Sequence, residues 1–367
     1  MQNHSRNSNF SPSQSQPAGA SNCPREETQD ACEFDYSQGL RQHLAEQGLS
    51  SRASEILVES WRTSTLKIYK SIVNQWYYYA SSRRIKIFDP PIGEGINFIT
   101  QLFQEGANYG RLCTIRSALA GFVFITKDFG SNKHVIRLFK GMYNIKPVFP
   151  IKSQVAKWDP NKVLSAIENW WPLETLTLKE LTLKVTFILA ITTGQRVNTL
   201  SNILIDNLYF TEDKCTIFFD SLLKTSRRRY QQEPIQLFPY ENKKLCIFYL
   251  LRHYLEITKD LRKDNQLLIS FKKPHRKVTS DSVSRWIKLV LKLANIDVIN
   301  NSVKAHSTRA MATSIASLSG MPINQIMGAA GWTQESTFVR HYKMTLQNNI
   351  GKSVLDSFQK AKVKLYM

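Results

Sequence analysis

Three short segments of this sequence gather side chains suited to chemistry on a phosphodiester: TGQRVNTL (193–200), AHSTRAMATS (305–314) and GWTQESTFVRHY (331–342). In the second, His306 and Arg309 stand three residues apart, a spacing that sets an imidazole and a guanidinium on the same side of a helix. Arg196 follows Gly194 at the end of an apolar helical run. Tyr342 lies 33 residues beyond Arg309, reached through a Gly331–Trp332 turn and a short helix that Thr333 is placed to cap. Two fixed guanidiniums suit a pentacovalent phosphorane, because each donates two hydrogen bonds to the non-bridging oxygens as negative charge accumulates. A tyrosine hydroxyl suits covalent attack on that phosphorus.

Charge points to the same class of partner. Among the 367 residues, 49 Lys and Arg face 29 Asp and Glu, a formal net of +20. The first fifty residues are net acidic (3 basic, 6 acidic), whereas 51–150 carry 14 basic against 6 acidic side chains and 151–367 carry 32 against 17. The excess therefore sits on the segments expected to fold, and a folded basic surface faces phosphates, which makes nucleic acid the leading partner. A basic surface that binds anionic membrane is the plainer alternative. No run approaches the ~18 apolar residues of a membrane span, and the N-terminus lacks the apolar stretch of a secretory signal, so an intracellular, reducing compartment is expected. Cys23, Cys32, Cys113, Cys215 and Cys246 form no CxxC pair and have no histidine at zinc-finger spacing. They read as reduced thiols, and no metal site is expected.

The elements that must position these residues are legible in outline. Ser, Gln and Asn dominate the first fifty residues, which read as a disordered polar tail. From Ser64, Ile68, Ile72, Trp76 and Tyr79 recur at helical steps. Further helices are predicted around Ile96–Phe103, Leu112–Phe122 and His134–Met142, four in all, making a small all-α module. Its Lys67, Lys70, Arg83, Arg84, Lys86, Arg111 and Arg116 are candidates to line a phosphate backbone. Pro147 and Pro150 mark an extended connector. Beyond Trp158, helical patterns cover Asn161–Asn169 and Leu176–Ile191, and short β-rich runs follow at Leu208–Phe210, Cys215–Phe219 and Pro234–Phe238. Helical periodicity resumes over Lys244–Ile257, Ser282–Leu293 and most of Thr308–Tyr342.

The order Arg196, Lys224 on a β-hairpin, His306-x-x-Arg309, Gly331-Trp332 and Tyr342 resembles the catalytic domain of tyrosine recombinases, the phage-integrase family. The helical module before it is similar to that family's core-binding domain. The phrasing TGQR, HSTR and AGW…STF…Y is closest to recombinases of eukaryotic DIRS-like mobile elements, over roughly residues 55–345. The resemblance implies that Tyr342 is the nucleophile of a 3′-phosphotyrosyl intermediate, that Arg196 and Arg309 clamp the scissile phosphate, and that Lys224 protonates the leaving 5′-oxygen. It implies that His306 handles the nucleophile's proton and that Trp332 packs beneath the site with its indole N–H toward the phosphate. Arg227, Arg228 and Arg229 beside Lys224 are alternatives for its role, or phosphate contacts. It further implies double-stranded DNA as partner, a tetramer on paired sites, no cofactor and no ATP, and a nuclear location in a eukaryote or a cytoplasmic, nucleoid one otherwise. Departures from the family pattern are Thr199 where an acidic residue is frequent, Ala310 where a second histidine is frequent, and Trp332 in place of the commoner histidine.

The expected molecule is thus mainly α with a small β-sheet: a disordered tail (1–51), a helical core-binding domain (52–145), a linker (146–157), a catalytic domain (158–345) and a tail helix (346–367). The reading is a DNA recombinase or integrase of a transposable element. The alternatives are a domesticated DNA-binding protein that leaves the site unused, a type IB topoisomerase with the same chemistry, and, from charge alone, an RNA-binding protein.

Overall fold

The computed structural model describes residues 35–147, 158–224, 226–228, 230–300 and 303–342, with only the backbone of Arg340 and His341. Most of the polar tail and of the connector, Arg229, and the helix expected over 346–367 lie outside the described residues. The chain divides into two compact units, Met1–Val148 and Phe149–Met367.

Among its described residues the first unit holds six helices: α1 (Tyr36–Glu46), α2 (Ser51–Glu59), α3 (Thr63–Ser82), α4 (Ile92–Gln104), α5 (Tyr109–Phe122) and α6 (Lys133–Ile145). The four expected helices are α3 to α6. Helix α1 corrects the expectation of a disordered stretch up to residue 51. Asp35 caps it by accepting from the backbone N–H groups of Ser37 and Gln38, and Tyr36, Leu40 and Leu44, four residues apart, form one buried stripe with Val73 and Phe122. The Tyr36 hydroxyl donates to the Phe122 carbonyl at 3.2 Å. Two fully buried leucines contribute roughly 1.5–3 kcal/mol each, enough to hold a helix whose other residues are polar. Trp76 on α3 is fully buried among Phe98, Leu119 and Phe124, its indole N–H satisfied by the Ile87 carbonyl at 2.8 Å.

The second unit is built around α8 (Leu178–Thr193). Thr177 and Glu180 form a reciprocal capping box at its start, and eleven of its sixteen residues are buried, as expected of a helix covered on all sides. Helices α7 (Pro160–Glu168), α9 (Val197–Ser201), α10 (Ile247–Thr258), α11 (Ser280–Leu293) and α12 (His306–Leu318) surround this core, and α13 (Ile323–Ala330) and α14 (Glu335–His341) follow. One three-stranded antiparallel sheet is inserted: β1 (Leu208–Phe210), β2 (Cys215–Ile217) and β3 (Ile235–Leu237), in that order. Cys215, Ile217, Ile235 and Leu237 are buried while Thr216 and Gln236 alternate outward, the two-residue period of a half-covered sheet. The strands are shorter than the β-rich runs of the sequence, ending at Ile217 and Leu237. Among the described residues, no helix is long and apolar enough to cross a membrane.

Candidate active site

Helix α8 ends because Gly194 adopts a left-handed conformation, φ +59°. That turn aims the Gly194 carbonyl at Arg309, which donates to it through one terminal nitrogen at 2.7 Å and to the Ala330 carbonyl through the other at 2.7 Å. Arg309 is 1 % exposed, and its Nε has no partner. Its guanidinium carbon lies 4.4 Å from the centre of the Trp332 ring and 5.2 Å from that of Tyr342. Two carbonyl dipoles and two aromatic faces are what this buried cation has, since none of the ion pairs among the described residues falls in the second unit. Burial, and after it the charge of Arg196, pull its pKa down to about 9, against the opposing pull of Tyr342.

Arg309 sits one turn into α12, and His306 is that helix's first residue, so the three-residue spacing does place them on one side. The Tyr342 hydroxyl lies 2.9 Å from His306 Nε2. Tyr342 itself is 9 % exposed and follows the last turn of α14; Gln334, not Thr333, occupies the cap of that helix. Its ring lies tilted against that of Trp332, centroids 4.5 Å apart, and its carbonyl accepts from Ser314 Oγ at 2.9 Å, so α12 holds the tyrosine at both ends. His306 keeps an open outer edge. The partial burial of its ring, with the charges of Arg309, Arg196, Lys224 and Lys304, lowers its pKa to about 4. The imidazole is therefore neutral at physiological pH, and with the proton on Nδ1 its Nε2 is free to accept the phenolic proton.

Arg196 precedes α9 and is half-buried, its field felt by both His306 and Arg309. Thr199, at the departure from the family pattern, is buried at 3 % exposure on α9. Lys224 is exposed on a turn in the β2–β3 connection, where Ser226 N donates to the Leu223 carbonyl at 3.0 Å and Leu223 N to Ser226 Oγ at 2.9 Å. Lys224 precedes, and is not within, the isolated bridge in which Arg227 and Tyr230 exchange backbone hydrogen bonds of 2.9 and 3.0 Å. Arg227 and Arg228 project outward beside it. His306, Arg309, Trp332 and Tyr342 are thus in mutual contact, and Arg196 and Lys224 are near enough for their charges to act on His306.

Several residues within the singled-out segments were given no role from sequence. Gly194 is the acceptor for Arg309, Ser314 anchors Tyr342, and Gln195 donates to the Ala329 carbonyl at 2.5 Å. Six of the ten buried side-chain atoms without a hydrogen-bond partner among the described residues belong here: Gln195 Oε1, both amide atoms of Gln232, Thr308 Oγ1, Arg309 Nε and Trp332 Nε1. Buried polar atoms are normally satisfied, so this concentration sets the cluster apart from the rest of the described residues. No cluster of His, Cys, Asp and Glu able to hold a metal ion occurs among the described residues.

In the first unit, Lys67, Lys70, Arg83, Arg84, Lys86 and Arg111 are exposed. Arg83 lies over the Tyr79 ring at 4.5 Å, and Arg111 donates to Gln75 at 3.4 Å. Arg116 is half-buried: its guanidinium donates twice to the Gly130 carbonyl and lies over the Phe139 ring, so it ties α5 to the chain entering α6.

A family model described as the phage integrase family matches residues 161–348, just over half of the chain. The chain belongs to that family, the tyrosine recombinases. The fold agrees with solved structures. A complex of the XerH site-specific recombinase with palindromic difH substrate after cleavage aligns at TM-score 0.56 and 14% identity, covering 88% of this chain and 85% of that one. The Tn1549 transposon integrase in complex with transposon right end DNA aligns at 0.53 and 10%, covering 89% and 98%. No curated protein matches this chain.

Proposed function

We propose that this chain is a site-specific DNA recombinase that cleaves and rejoins a duplex through a phosphodiester linkage to Tyr342. The observation that carries the reading is the 2.9 Å approach of the Tyr342 hydroxyl to a neutral His306, beside the buried guanidinium of Arg309. As the tyrosine oxygen attacks phosphorus, its proton passes to His306 Nε2. The imidazolium so formed stands among Arg196, Lys224 and Arg309, and the charge growing on the phosphorane offsets that repulsion. Arg196 and Arg309 meet the non-bridging oxygens, with the Trp332 indole N–H as a further donor. Lys224 gives its proton to the 5′-oxygen as the P–O5′ bond breaks. The phosphotyrosyl bond retains the energy of the broken linkage, so rejoining by a 5′-hydroxyl draws on no ATP. The guanidiniums supply the positive charge that a metal would otherwise bring.

Support for DNA as the partner comes from the net charge of +20 and from the DNA complexes among the structures of the same fold. The tetramer on paired sites, the origin in a DIRS-like mobile element and a nuclear location rest on the motif phrasing. The test is covalent capture on nicked duplexes selected from random sequence, whose cut end diffuses away. The wild-type chain should accumulate a protein–DNA adduct; Tyr342→Phe should bind the same duplex and form none. An adduct with the Phe variant would overturn the assignment.

A further inference from the structure

The loop that carries Lys224 leaves β2 exposed and returns to β3 through Gln232. Gln232 is only 8 % exposed, and neither its amide nitrogen nor its amide oxygen has a partner. Its side chain is pressed on the backbone of Gly331: a Cβ there would stand 2.4 Å from Gln232 Oε1 and 2.9 Å from its Cδ. The next residue repeats the contact one turn earlier, where a Cβ on Gly328 would meet the Glu233 carboxylate at 3.0 Å. Both glycines therefore leave room for this segment. The turn they border is gripped from two other segments as well, by Gln195 at the Ala329 carbonyl and by Arg309 at the Ala330 carbonyl. Gln195 adjoins Arg196, and Trp332 begins the path to Tyr342. The turn at 328–332 is thus the place where the segments bearing Arg196, Lys224, Arg309 and Tyr342 meet.

We infer that Gln232 is a positioning residue for Lys224: its side chain, seated across Gly331, fixes the returning arm of the loop so that the lysine is held against the leaving 5′-oxygen. The seat is steric, because the amide makes no hydrogen bond that could be lost. Between Gln232 and Lys224 the described backbone is tied by the Arg227–Tyr230 hydrogen bonds and by those between Leu223 and Ser226. In the step concerned, the Tyr342 oxygen forms its bond to phosphorus and the P–O5′ bond breaks. O5′ takes a proton from the lysine ammonium, which becomes a neutral amine. The inference rests on the role of Lys224 proposed above.

The test uses the full chain and two versions of one selected nicked duplex, one with the natural 5′-oxygen and one with sulfur at that bridging position. A thiolate leaves without protonation, so a fault confined to the acid disappears on the sulfur substrate. Gln232→Ala should slow cleavage of the oxygen substrate by about 10- to 100-fold, part of the 10²–10⁴ that a positioned general acid contributes. It should cleave the sulfur substrate at the wild-type rate. Gln232→Met, which keeps the length and the seat without the amide, should restore cleavage of the oxygen substrate and so keeps the test decisive if the alanine variant fails to fold. Equal slowing of both substrates by Gln232→Ala, or a methionine variant as slow on oxygen as Lys224→Ala, would overturn the inference. Lys224→Ala serves as the reference. If its own defect is not relieved by sulfur, the assignment of Lys224 fails, independently of Gln232.

Discussion

His306 shows how a common side chain acquires its task from its surroundings. Partial burial and, after it, four cations hold its pKa at about 4, well below the 6.5 of an unfolded histidine. Between these values the unfolded chain binds the extra proton, so this residue's contribution lowers stability as pH falls from 6.5 toward 4. The same charges that keep it a neutral base would disfavour its protonated form, until a phosphate anion enters and favours it. NMR titration of His306 in Tyr342→Phe should therefore find the ring neutral down to about pH 4 without DNA and a distinctly higher pKa with a bound duplex. A pKa that falls, or stays put, on DNA binding would place the phosphate away from the imidazole. Arg309 is the complementary case: an arginine at 1 % exposure held by two carbonyls and the rings of Trp332 and Tyr342. Its planar fork spans the end of α8 and the Ala330 turn at once, which a lysine's single ammonium cannot do.

At the scale of the element, α12 supplies His306 and Arg309 from one face and anchors Tyr342 through Ser314, while α8 and α13 each stop at a left-handed glycine that turns a carbonyl toward Arg309 or a tryptophan beneath it. Gly331 has φ +66° and abuts Gln232, so Gly331→Ala combines backbone strain with a clash. It should cost roughly 1–3 kcal/mol in denaturant unfolding and reduce cleavage more than that loss of stability explains. Gly194→Ala, whose nearest neighbour would be Thr313 Cγ2 at 3.3 Å, should be milder in packing. A Gly331→Ala protein that unfolds and cleaves like wild type would show that the turn does not set the site. Long amphipathic stretches such as α3 and α11, and the His306/Arg309 spacing, were legible because period and helix geometry are local. Helix α1 was not, since its three buried residues count only once Val73 and Phe122 cover them. Arg116 reads like any surface arginine until Gly130 comes round to it, and nothing in QQEP marks Gln232, whose neighbour is 99 residues away in sequence. Long-range partners of polar side chains are the part that sequence pattern does not carry.

For the molecule as a whole, charge governs binding and the cluster governs chemistry, so the two should separate experimentally. Duplex affinity should fall steeply with salt, by a slope of on the order of one unit of log K per neutralised phosphate. Replacing exposed Lys67 and Arg83 with glutamine should flatten that slope while leaving the cleavage rate of bound DNA unchanged. Replacing Arg116 should act through folding of the first unit instead, because it holds Gly130. An unchanged slope in the Lys67 and Arg83 variants would place the phosphate contacts elsewhere. The central claim, that one tyrosine among 14 becomes covalently joined to DNA, is tested most directly on the intact protein. The trapped adduct is digested with trypsin and nuclease, and the modified peptide is identified by mass spectrometry. A single phosphorylated tyrosine, Tyr342, is expected, linked to the 3′ end of the cleaved strand with a free 5′-hydroxyl on the other side. A modification on Tyr230 or Tyr366, or a 5′-linked product, would contradict it.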